Sequence, residues 1–234
     1  MSQFQKSAWV DFEEGKSMRS EKKLNQVFDE LQVRDYEKKR YRGWDQRLVD
    51  WREKKIIKKI LEKLGKELNL ILDLPCGFGR FSKLFLKRGL SLVSSDLSFS
   101  MVKRTKNKSE GNEDHFFVVG DVKKGIPFKD GAFEAVFCIR FFHHLHEREE
   151  RDLILREFNR VSTRWLILSY YRWNFFHSIQ RKLRRKLKRS KTEIKMLSPF
   201  ELESEVESSG FHIIQTFPLF KRIHSQEIAL LEKD

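Results

Sequence analysis

A short apolar run in this sequence passes directly into a turn that contains two glycines. Residues 70–74 are Leu-Ile-Leu-Asp-Leu, Gly77 and Gly79 follow, and an amphipathic segment begins at Phe81. The run shows no alternation of apolar and polar side chains, which is typical of a strand buried on both faces of a parallel sheet. A strand, a glycine turn and a helix in this order let a ligand approach the backbone at the helix N-terminus.

The alternation of short apolar strands with helices continues along the chain. Further strands are predicted at 91–96, 116–120, 132–139 and 165–171. This order indicates a parallel, doubly wound sheet. Two final strands, 211–217 and 223–231, are joined by a link too short for a parallel crossover, so we expect them to pair antiparallel.

The predicted fold class is therefore α/β. We expect a doubly wound, mostly parallel, seven-stranded sheet of the Rossmann-like type, with a C-terminal antiparallel hairpin. Residues 1–45, polar with scattered aromatic side chains, are predicted to be an N-terminal helical extension, and 46–234 form the main domain. A helix over 46–67 should pack on the core through apolar residues at helical spacing: Leu48, Ile56, Ile57, Ile60, Leu61 and Leu64.

Composition restricts the class of protein further. The chain has 234 residues, of which 39% are hydrophobic, so it has enough apolar material to form a folded core. The net charge of +14 favours an anionic partner, such as nucleic acid, an acidic membrane surface or a charged small molecule, or it is a solvated basic surface. Two cysteines suggest no disulfide framework. No segment resembles a signal peptide or a membrane span, so the expected location is the cytoplasm.

Acidic residues follow the first three predicted strands and restrict the ligand. Asp96, about twenty residues beyond the glycines, could accept hydrogen bonds from both ribose hydroxyls of an adenosine, and Asp121 could reach the adenine amino group. Asp73 would repel a pyrophosphate but would tolerate an ammonium and a sulfonium. A third glycine near Ser82 and a Gly-Lys-Ser/Thr motif are both missing, which excludes the dinucleotide fingerprint and the P-loop. S-adenosylmethionine fits best, although Asp96 and Asp121 could instead serve as caps or turn residues.

Four blocks in this order resemble the class I S-adenosylmethionine-dependent methyltransferases, of the type that includes ubiquinone- and menaquinone-pathway enzymes. The blocks are ILDLPCGFGRF, SSDLSFSMVKRTK, VVGDVKKGIPFKDGAFEAVFCIRFFHHL and LSPFELESEVESSGFHI. The resemblance covers residues 68–233 and implies that 46–234 are a methyltransferase domain with S-adenosyl-L-methionine as its cofactor.

The resemblance also implies a role for each matching position. The methionine end would lie along the glycine loop, the ribose on the second strand, the adenine beside the third strand and the sulfonium beside the fourth. The implied cofactor-binding residues, in that order, are Asp73, Pro75, Cys76, Gly77 and Gly79, then Asp96 and Leu97, then Asp121 and Val122, then Cys138 and Arg140.

Two positions in the loop depart from the family pattern. Pro75 stands where the family has its first loop glycine, and it suits a position that donates no backbone hydrogen bond. Phe78 replaces a frequent Ser or Thr whose hydroxyl could meet the carboxylate of the cofactor. Arg80 or Arg42 could supply that contact instead.

Three histidines follow the fourth strand on the side where the acceptor should lie. His143 and His144 are the candidate catalytic residues, with His143 preferred as a general base for an acceptor hydroxyl; His146 follows closely. A histidine near a pocket is more commonly a packing or solvent-facing residue than a catalytic one, so that alternative stays open. No carboxylate or cysteine completes a metal set with them, and no metal is expected.

A basic insertion, 172–197, separates the fifth strand from the last helix and would cover the acceptor. Eight Lys or Arg residues lie between Arg181 and Lys191, opposite an apolar stripe. The stripe could pack on the core as a lid, or 173–191 could contact an anionic membrane, which would make the protein peripheral at the inner membrane face. Binding to nucleic acid is less favoured, because no second nucleic-acid module is recognisable.

The predicted function is in-line methyl transfer to a small or lipid-like acceptor. An RNA methyltransferase and a non-catalytic S-adenosylmethionine-binding protein are the alternatives.

Overall fold

The computed structural model describes residue 35 and residues 43–65, 68–109, 111–173, 194–221 and 224–234. The predicted N-terminal extension lies outside these residues except for Asp35 and 43–45. Arg42 and positions 174–193 of the basic insertion also lie outside them.

Five helices, two short 3₁₀ turns and seven strands make up the described part of the chain. The helices are α1 (Trp44–Leu64), α2 (Ser82–Leu86), α3 (Phe99–Lys108), α4 (Arg148–Val161) and α5 (Pro199–Glu207). The strands are β1 (Leu70–Asp73), β2 (Ser91–Asp96), β3 (His115–Val119), β4 (Phe133–Cys138), β5 (Ser162–Tyr171), β6 (Phe211–Pro218) and β7 (Gln226–Lys233). The 3₁₀ turns are Val122–Lys124 and Phe142–His144.

The seven strands form one sheet in the order β3-β2-β1-β4-β5-β7-β6. The first five strands are parallel, and β7 pairs antiparallel with both β5 and β6. The predicted doubly wound, mostly parallel sheet with an antiparallel C-terminal hairpin is therefore confirmed. The order reverses between β1 and β4, and in such sheets a ligand crevice opens at the carboxyl ends of the strands next to this reversal.

Apolar side chains fill both faces of the sheet, which explains why β1 and β4 lack alternation. On one face the core includes Leu72, Val136 and Phe158, and on the other it includes Ile57, Phe85 and Phe137. These side chains are essentially inaccessible to solvent. Burial of apolar surface on this scale is the main favourable contribution to folding.

Helix α1 packs on the second of these faces. Its buried side chains include Ile56, Ile57 and Ile60, as predicted. The prediction was wrong for Leu48, which is 41% exposed; the neighbouring Val49 packs against the core in its place. None of the helices within the described ranges is both long enough and apolar enough to cross a bilayer.

Candidate functional site

The glycine loop lies at the carboxyl end of β1, where neighbouring strands hold its backbone. Leu74 N–H donates to the Phe137 carbonyl at 2.9 Å, and Cys76 N–H donates to the Ser95 carbonyl at 2.8 Å. Pro75 lies between these two donors, after a cis peptide bond. Both neighbours of Pro75 anchor the loop, so a residue without an N–H fits here, as the sequence predicted.

Gly77 and Gly79 have positive φ angles of 55° and 73°, which side chains rarely tolerate. A Cβ atom on Gly79 would lie 2.8 Å from the Thr105 methyl group, so this glycine permits close packing of the loop on α3. A Cβ atom on Gly77 would meet no atom within 4 Å. The space beside Gly77 is open, and a ligand there could contact the loop backbone.

Asp96, the last residue of β2, holds the loop from the other side. Its Oδ2 accepts a hydrogen bond from Gly77 N–H at 2.9 Å, and its Oδ1 accepts one from Ser98 N–H at 2.9 Å. Burial raises the pKa of Asp96, and the backbone hydrogen bonds oppose that rise. The Asp96 carboxylate thus holds the turn after β2 and the glycine loop together. The next residue, Leu97, has a side chain that is 38% exposed.

Asp73, the last residue of β1, is a buried ionisable group directly before the glycine loop. Its side chain is 2% exposed, and its Oδ2 has no hydrogen-bond partner among the described residues. Burial raises the pKa of Asp73 to about 8; the charge of Arg80 lowers this pKa and that of Asp96 raises it. A buried carboxyl without a partner is costly when ionised, so this atom is suited to a cationic ligand group.

We expect Asp73→Asn to flatten part of the pH dependence of stability. The unfolded carboxyl loses its proton near pH 3.8, whereas the folded one keeps it to about pH 8. The folded state therefore binds more protons in this window, and wild-type stability falls as pH rises through it. Melting temperatures measured from pH 4 to 8 should fall more steeply for the wild type than for the variant. Parallel curves would show that Asp73 is ionised throughout.

The third acidic residue lies on the loop after β3. Asp121 Oδ1 accepts from Lys123 N–H at 3.1 Å and caps the 3₁₀ turn that contains Val122. Gly120 N–H donates to the Asp96 carbonyl at 3.1 Å, so the ends of β2 and β3 lie side by side. In this structure Asp96 and Asp121 both accept hydrogen bonds from nearby backbone N–H groups, as the alternative role in caps or turns predicts. Asp121 also lies beside the end of β2, which carries Asp96.

Two cysteines flank Asp73 inside the protein. Cys76 is 6% exposed in the loop, and Cys138, at the end of β4, is fully buried. Burial raises the pKa of both thiols well above the ordinary value, and the Asp73 charge adds to this effect. Both cysteines are therefore neutral packing groups in the wall of the site.

Arg140 adopts a left-handed conformation with a φ of 62° directly after β4. Its N–H donates to Ser169 Oγ at 2.6 Å, which holds the backbone in place. Its guanidinium is directed to Glu53 of α1, with Nε to Oε1 and Nη2 to Oε2 both at 2.7 Å. The sequence placed Arg140 correctly at the end of β4 but did not identify its partner.

Glu53 was not among the predicted site residues, because the prediction for this helix considered only its apolar side chains. It lies three and four residues before Ile56 and Ile57, on the apolar stripe, and it is fully buried. A charged residue on an apolar stripe was the available signal. Arg80, the expected partner of a cofactor carboxylate, also forms an ion pair with Glu53, and its Nε lies 3.3 Å from Asp50 Oδ1.

Phe78, the second departure in the loop, has a packing role. Its side chain is 5% exposed. Lys108 of α3 places its Nζ 4.7 Å from the centre of the Phe78 ring and donates to the Phe78 carbonyl at 3.1 Å. The ring therefore supports a cation–π contact between the loop and α3, where the family would have a hydroxyl.

The histidines after β4 differ in burial. His143 is 7% exposed, whereas His144 and His146 are exposed. The His143 ring packs edge-on against Tyr171 at 4.8 Å between centroids, and Tyr171 lies 6.1 Å from the ring of His224. These three rings, which we call the aromatic row, lie at the carboxyl ends of β4 and β5. In the described ranges no three His, Cys, Asp or Glu residues form a group that could hold a metal ion.

Both ends of the basic insertion are attached beside the aromatic row. Trp173 N–H donates to the Leu197 carbonyl at 2.8 Å, and Leu197 N–H donates to the Tyr171 carbonyl at 2.9 Å. Lys195 N–H donates to the His143 carbonyl at 3.0 Å. The insertion therefore leaves and rejoins the fold at the carboxyl edge of the sheet.

Comparison with known proteins agrees with this architecture. Residues 72–164 match the family model described as a methyltransferase domain. An uncharacterised protein of Methanocaldococcus jannaschii is 24% identical over 217 residues, which cover 81% of this chain and 80% of that protein. Malonyl-[acyl-carrier protein] O-methyltransferase of Hamiltonella defensa is 29% identical over 92 residues, which cover 39% of this chain and 33% of that protein.

Among solved structures, magnesium protoporphyrin IX methyltransferase of Synechocystis PCC 6803, crystallised with bound S-adenosylhomocysteine, has the same fold. The TM-score is 0.70 at 19% identity, and the match covers 88% of this chain and 100% of that one. The family match over 72–164, the strand order and the acidic residues after β1, β2 and β3 agree with one another. Residues 72–164 therefore match a methyltransferase domain, and the chain has the fold of solved S-adenosylmethionine-dependent methyltransferases.

Proposed function

We propose that this methyltransferase acts on a small or lipid-like acceptor, which binds beside the aromatic row. The observation that carries the cofactor placement is the buried Oδ2 of Asp73, which has no hydrogen-bond partner among the described residues. Asp73 ends the strand that leads into the loop with open space at Gly77. The ammonium group of the methionine part would satisfy the Asp73 Oδ2, and the carboxyl would then ionise. S-adenosylmethionine supplies an electrophilic methyl group, and the protein contributes mainly by holding the acceptor in line with it.

The remaining contacts of the cofactor follow from the strand ends. Asp96 would accept hydrogen bonds from the ribose hydroxyls, and the exposed side chain of Leu97 would lie against the adenine. Asp121 and Val122 would border the adenine edge. Pro75, Cys76 and Gly79 shape the loop around the methionine end, and buried Cys138 would form the wall behind the sulfonium.

The rings of the aromatic row could pack against an acceptor that has apolar or flat parts. Two of the proteins compared are, by name, a malonyl-[acyl-carrier protein] O-methyltransferase and a magnesium protoporphyrin IX methyltransferase. Their names favour acceptors other than nucleic acid. We propose His143 as the group that takes the proton of an acceptor hydroxyl, because it is more enclosed than His144 and borders Tyr171.

Mass spectrometry of extracts incubated with methyl-labelled S-adenosylmethionine and the protein tests this proposal. We expect the label in a small or lipid-extractable product. Label in RNA would favour the RNA methyltransferase alternative. Cofactor binding without labelling of any fraction would favour a non-catalytic binding protein.

The basic insertion would cover the acceptor and contact an anionic membrane through 173–191. Its ends lie at the acceptor side, next to Trp173, whose side chain is 52% exposed. In a flotation assay with phosphatidylglycerol vesicles, we expect replacement of Arg184, Arg185 and Lys186 by Gln to reduce binding strongly. The control replaces three exposed lysines of α1, at 58, 59 and 63, and should reduce it much less. Equal loss in both variants would contradict a specific membrane contact of the insertion.

A further inference from the structure

One buried carboxylate connects four separate elements at the carboxyl edge of the sheet. Glu53 of α1 is fully buried. Its Oε1 accepts from Arg140 Nε and from Gln226 Nε2, both at 2.7 Å. Its Oε2 accepts from Arg140 Nη2 at 2.7 Å and from Arg80 Nη2. A carboxylate has about four lone-pair sites, so Glu53 is saturated by residues of the glycine loop, of the end of β4 and of the start of β7.

The electrostatic environment keeps Glu53 ionised. Burial alone would raise its pKa, but the charges of Arg80 and Arg140 and their hydrogen bonds hold the pKa below its usual value. A buried charge is tolerated in a protein when it is paired and fully hydrogen-bonded, and breaking such a pair leaves the other charges uncompensated. The ionised Glu53 therefore holds the guanidinium groups of Arg80 and Arg140 in one fixed arrangement.

The two arginines are used differently. Arg140 directs both nitrogens of its fork to Glu53, which anchors that carboxylate to the end of β4. Arg80 gives Glu53 its Nη2, and its Nε lies 3.3 Å from Asp50 Oδ1, an ion-pair contact without hydrogen-bond geometry. The Arg80 Nη1 has no hydrogen-bond partner within the described part of the chain. A guanidinium has five N–H donors, so Arg80 keeps donors for a ligand.

The position of Arg80 shows which part of a ligand it could meet. Arg80 follows Gly79 directly in the glycine loop, and its side chain is 10% exposed. Its charge acts on Asp73, the residue with the unsatisfied carboxyl oxygen. A zwitterionic amino-acid group would place its ammonium at Asp73 and its carboxylate at Arg80, so one ligand group would satisfy both side chains.

We propose that Glu53 is a positioning residue for the amino-acid end of the cofactor. It fixes Arg80, with Arg140 as the anchor, so that the Arg80 guanidinium binds the carboxylate of the methionine part. This inference rests on the proposed cofactor placement. Helix α1 would thus contribute to cofactor recognition through Glu53, in addition to the glycine loop and the acidic residues at the strand ends.

Two ligands that differ in the amino-acid group test this inference. S-adenosylhomocysteine carries the ammonium and the carboxylate, whereas 5′-methylthioadenosine lacks both and keeps the adenosine. For Glu53→Gln, we expect the Kd of S-adenosylhomocysteine, measured by calorimetry, to rise at least ~10-fold. Arg80 would no longer be held in place, so its hydrogen bond to the carboxylate of the ligand would be lost. The Kd of 5′-methylthioadenosine should change less than ~2-fold.

Glu205→Gln is the matched control. Glu205 is also buried and is held by both fork nitrogens of an arginine, Arg151, at 2.8 and 2.6 Å, but it lies on α5. This control should lose a comparable amount of thermal stability without changing the ratio of the two affinities. If Glu53→Gln does not fold, Arg80→Gln, which leaves the Glu53–Arg140 pair intact, should show the same selective loss.

Equal weakening of both ligands in the folded Glu53 or Arg80 variant, or no weakening of either, would overturn the positioning role while leaving the proposed function in place. Failure of the wild type to bind S-adenosylhomocysteine would overturn the proposed function together with this inference.

Discussion

Replacing Asp96 by alanine is expected to weaken the binding of S-adenosylhomocysteine by at least ~100-fold. The complex would lose the two charge-assisted hydrogen bonds that the Asp96 carboxylate would accept from the ribose hydroxyls, each contributing about 1.5 kcal/mol or more. Gly77 and Ser98 would also lose the oxygen atoms that accept from their N–H groups at 2.9 Å, so the glycine loop would be less well ordered. Isothermal titration calorimetry of the wild type and the variant measures this difference directly.

Asp114→Ala is the matched control for this prediction. Asp114 is exposed and lies just before β3, at the opposite edge of the sheet from the glycine loop. We expect its replacement to change the Kd by less than ~2-fold, since surface substitutions away from a site have small effects. If Asp96→Ala binds as tightly as the wild type, the capping contacts of Asp96 are its whole role and the ribose assignment is wrong.

Arg151→Ala is expected to lower the free energy of unfolding by about 3–5 kcal/mol. Arg151 is 2% exposed and holds both oxygens of buried Glu205. It also donates to the carbonyls of Leu145 and His146 at 3.0 and 2.8 Å, so it fixes the segment after β4 against α5. Its removal leaves a carboxylate charged, buried and unpaired. Urea denaturation followed by circular dichroism gives the value.

The control for this prediction is the exposed pair formed by Arg164 and Glu232. Their atoms are 2.9 Å apart, but the Arg164 side chain is 50% exposed. Arg164→Ala should therefore cost at most about 1 kcal/mol. A loss for Arg151→Ala as small as that for Arg164→Ala would show that the buried pair contributes little beyond an ordinary surface contact.

The sheet could be predicted because its signals are local. Mostly apolar runs without regular alternation, such as 70–74 and 132–139, mark strands covered on both faces, and the structure has strands within both. The antiparallel hairpin followed from the short link after residue 217. The insertion of β7 between β5 and β6 could not be predicted, because it depends on the pairing of Tyr171 with Gln226 across a long sequence separation.

The site could be predicted only in part, because charge pairs within the core leave a weak signal. Asp73 and Asp96 occupy the predicted strand ends, where position alone identifies them. Glu53 and Arg151 are charged residues on the apolar stripes of α1 and α4, and only the folded chain shows that their partners are Arg140 and Glu205. Arg80 or Arg42 was expected to contact the carboxylate of the cofactor; the structure pairs Arg80 with Glu53, a contact that the sequence did not indicate.

Calorimetric titration of the wild-type protein with S-adenosylhomocysteine and, separately, with NAD tests the central claim most directly. Both ligands contain an adenosine, but NAD carries a pyrophosphate where S-adenosylhomocysteine carries an amino acid. Because Asp73 lies buried at the end of β1, directly before the glycine loop, we expect one S-adenosylhomocysteine to bind per chain with release of a proton, and NAD not to bind. Binding of NAD with equal or greater affinity, or no binding of S-adenosylhomocysteine, would contradict the account.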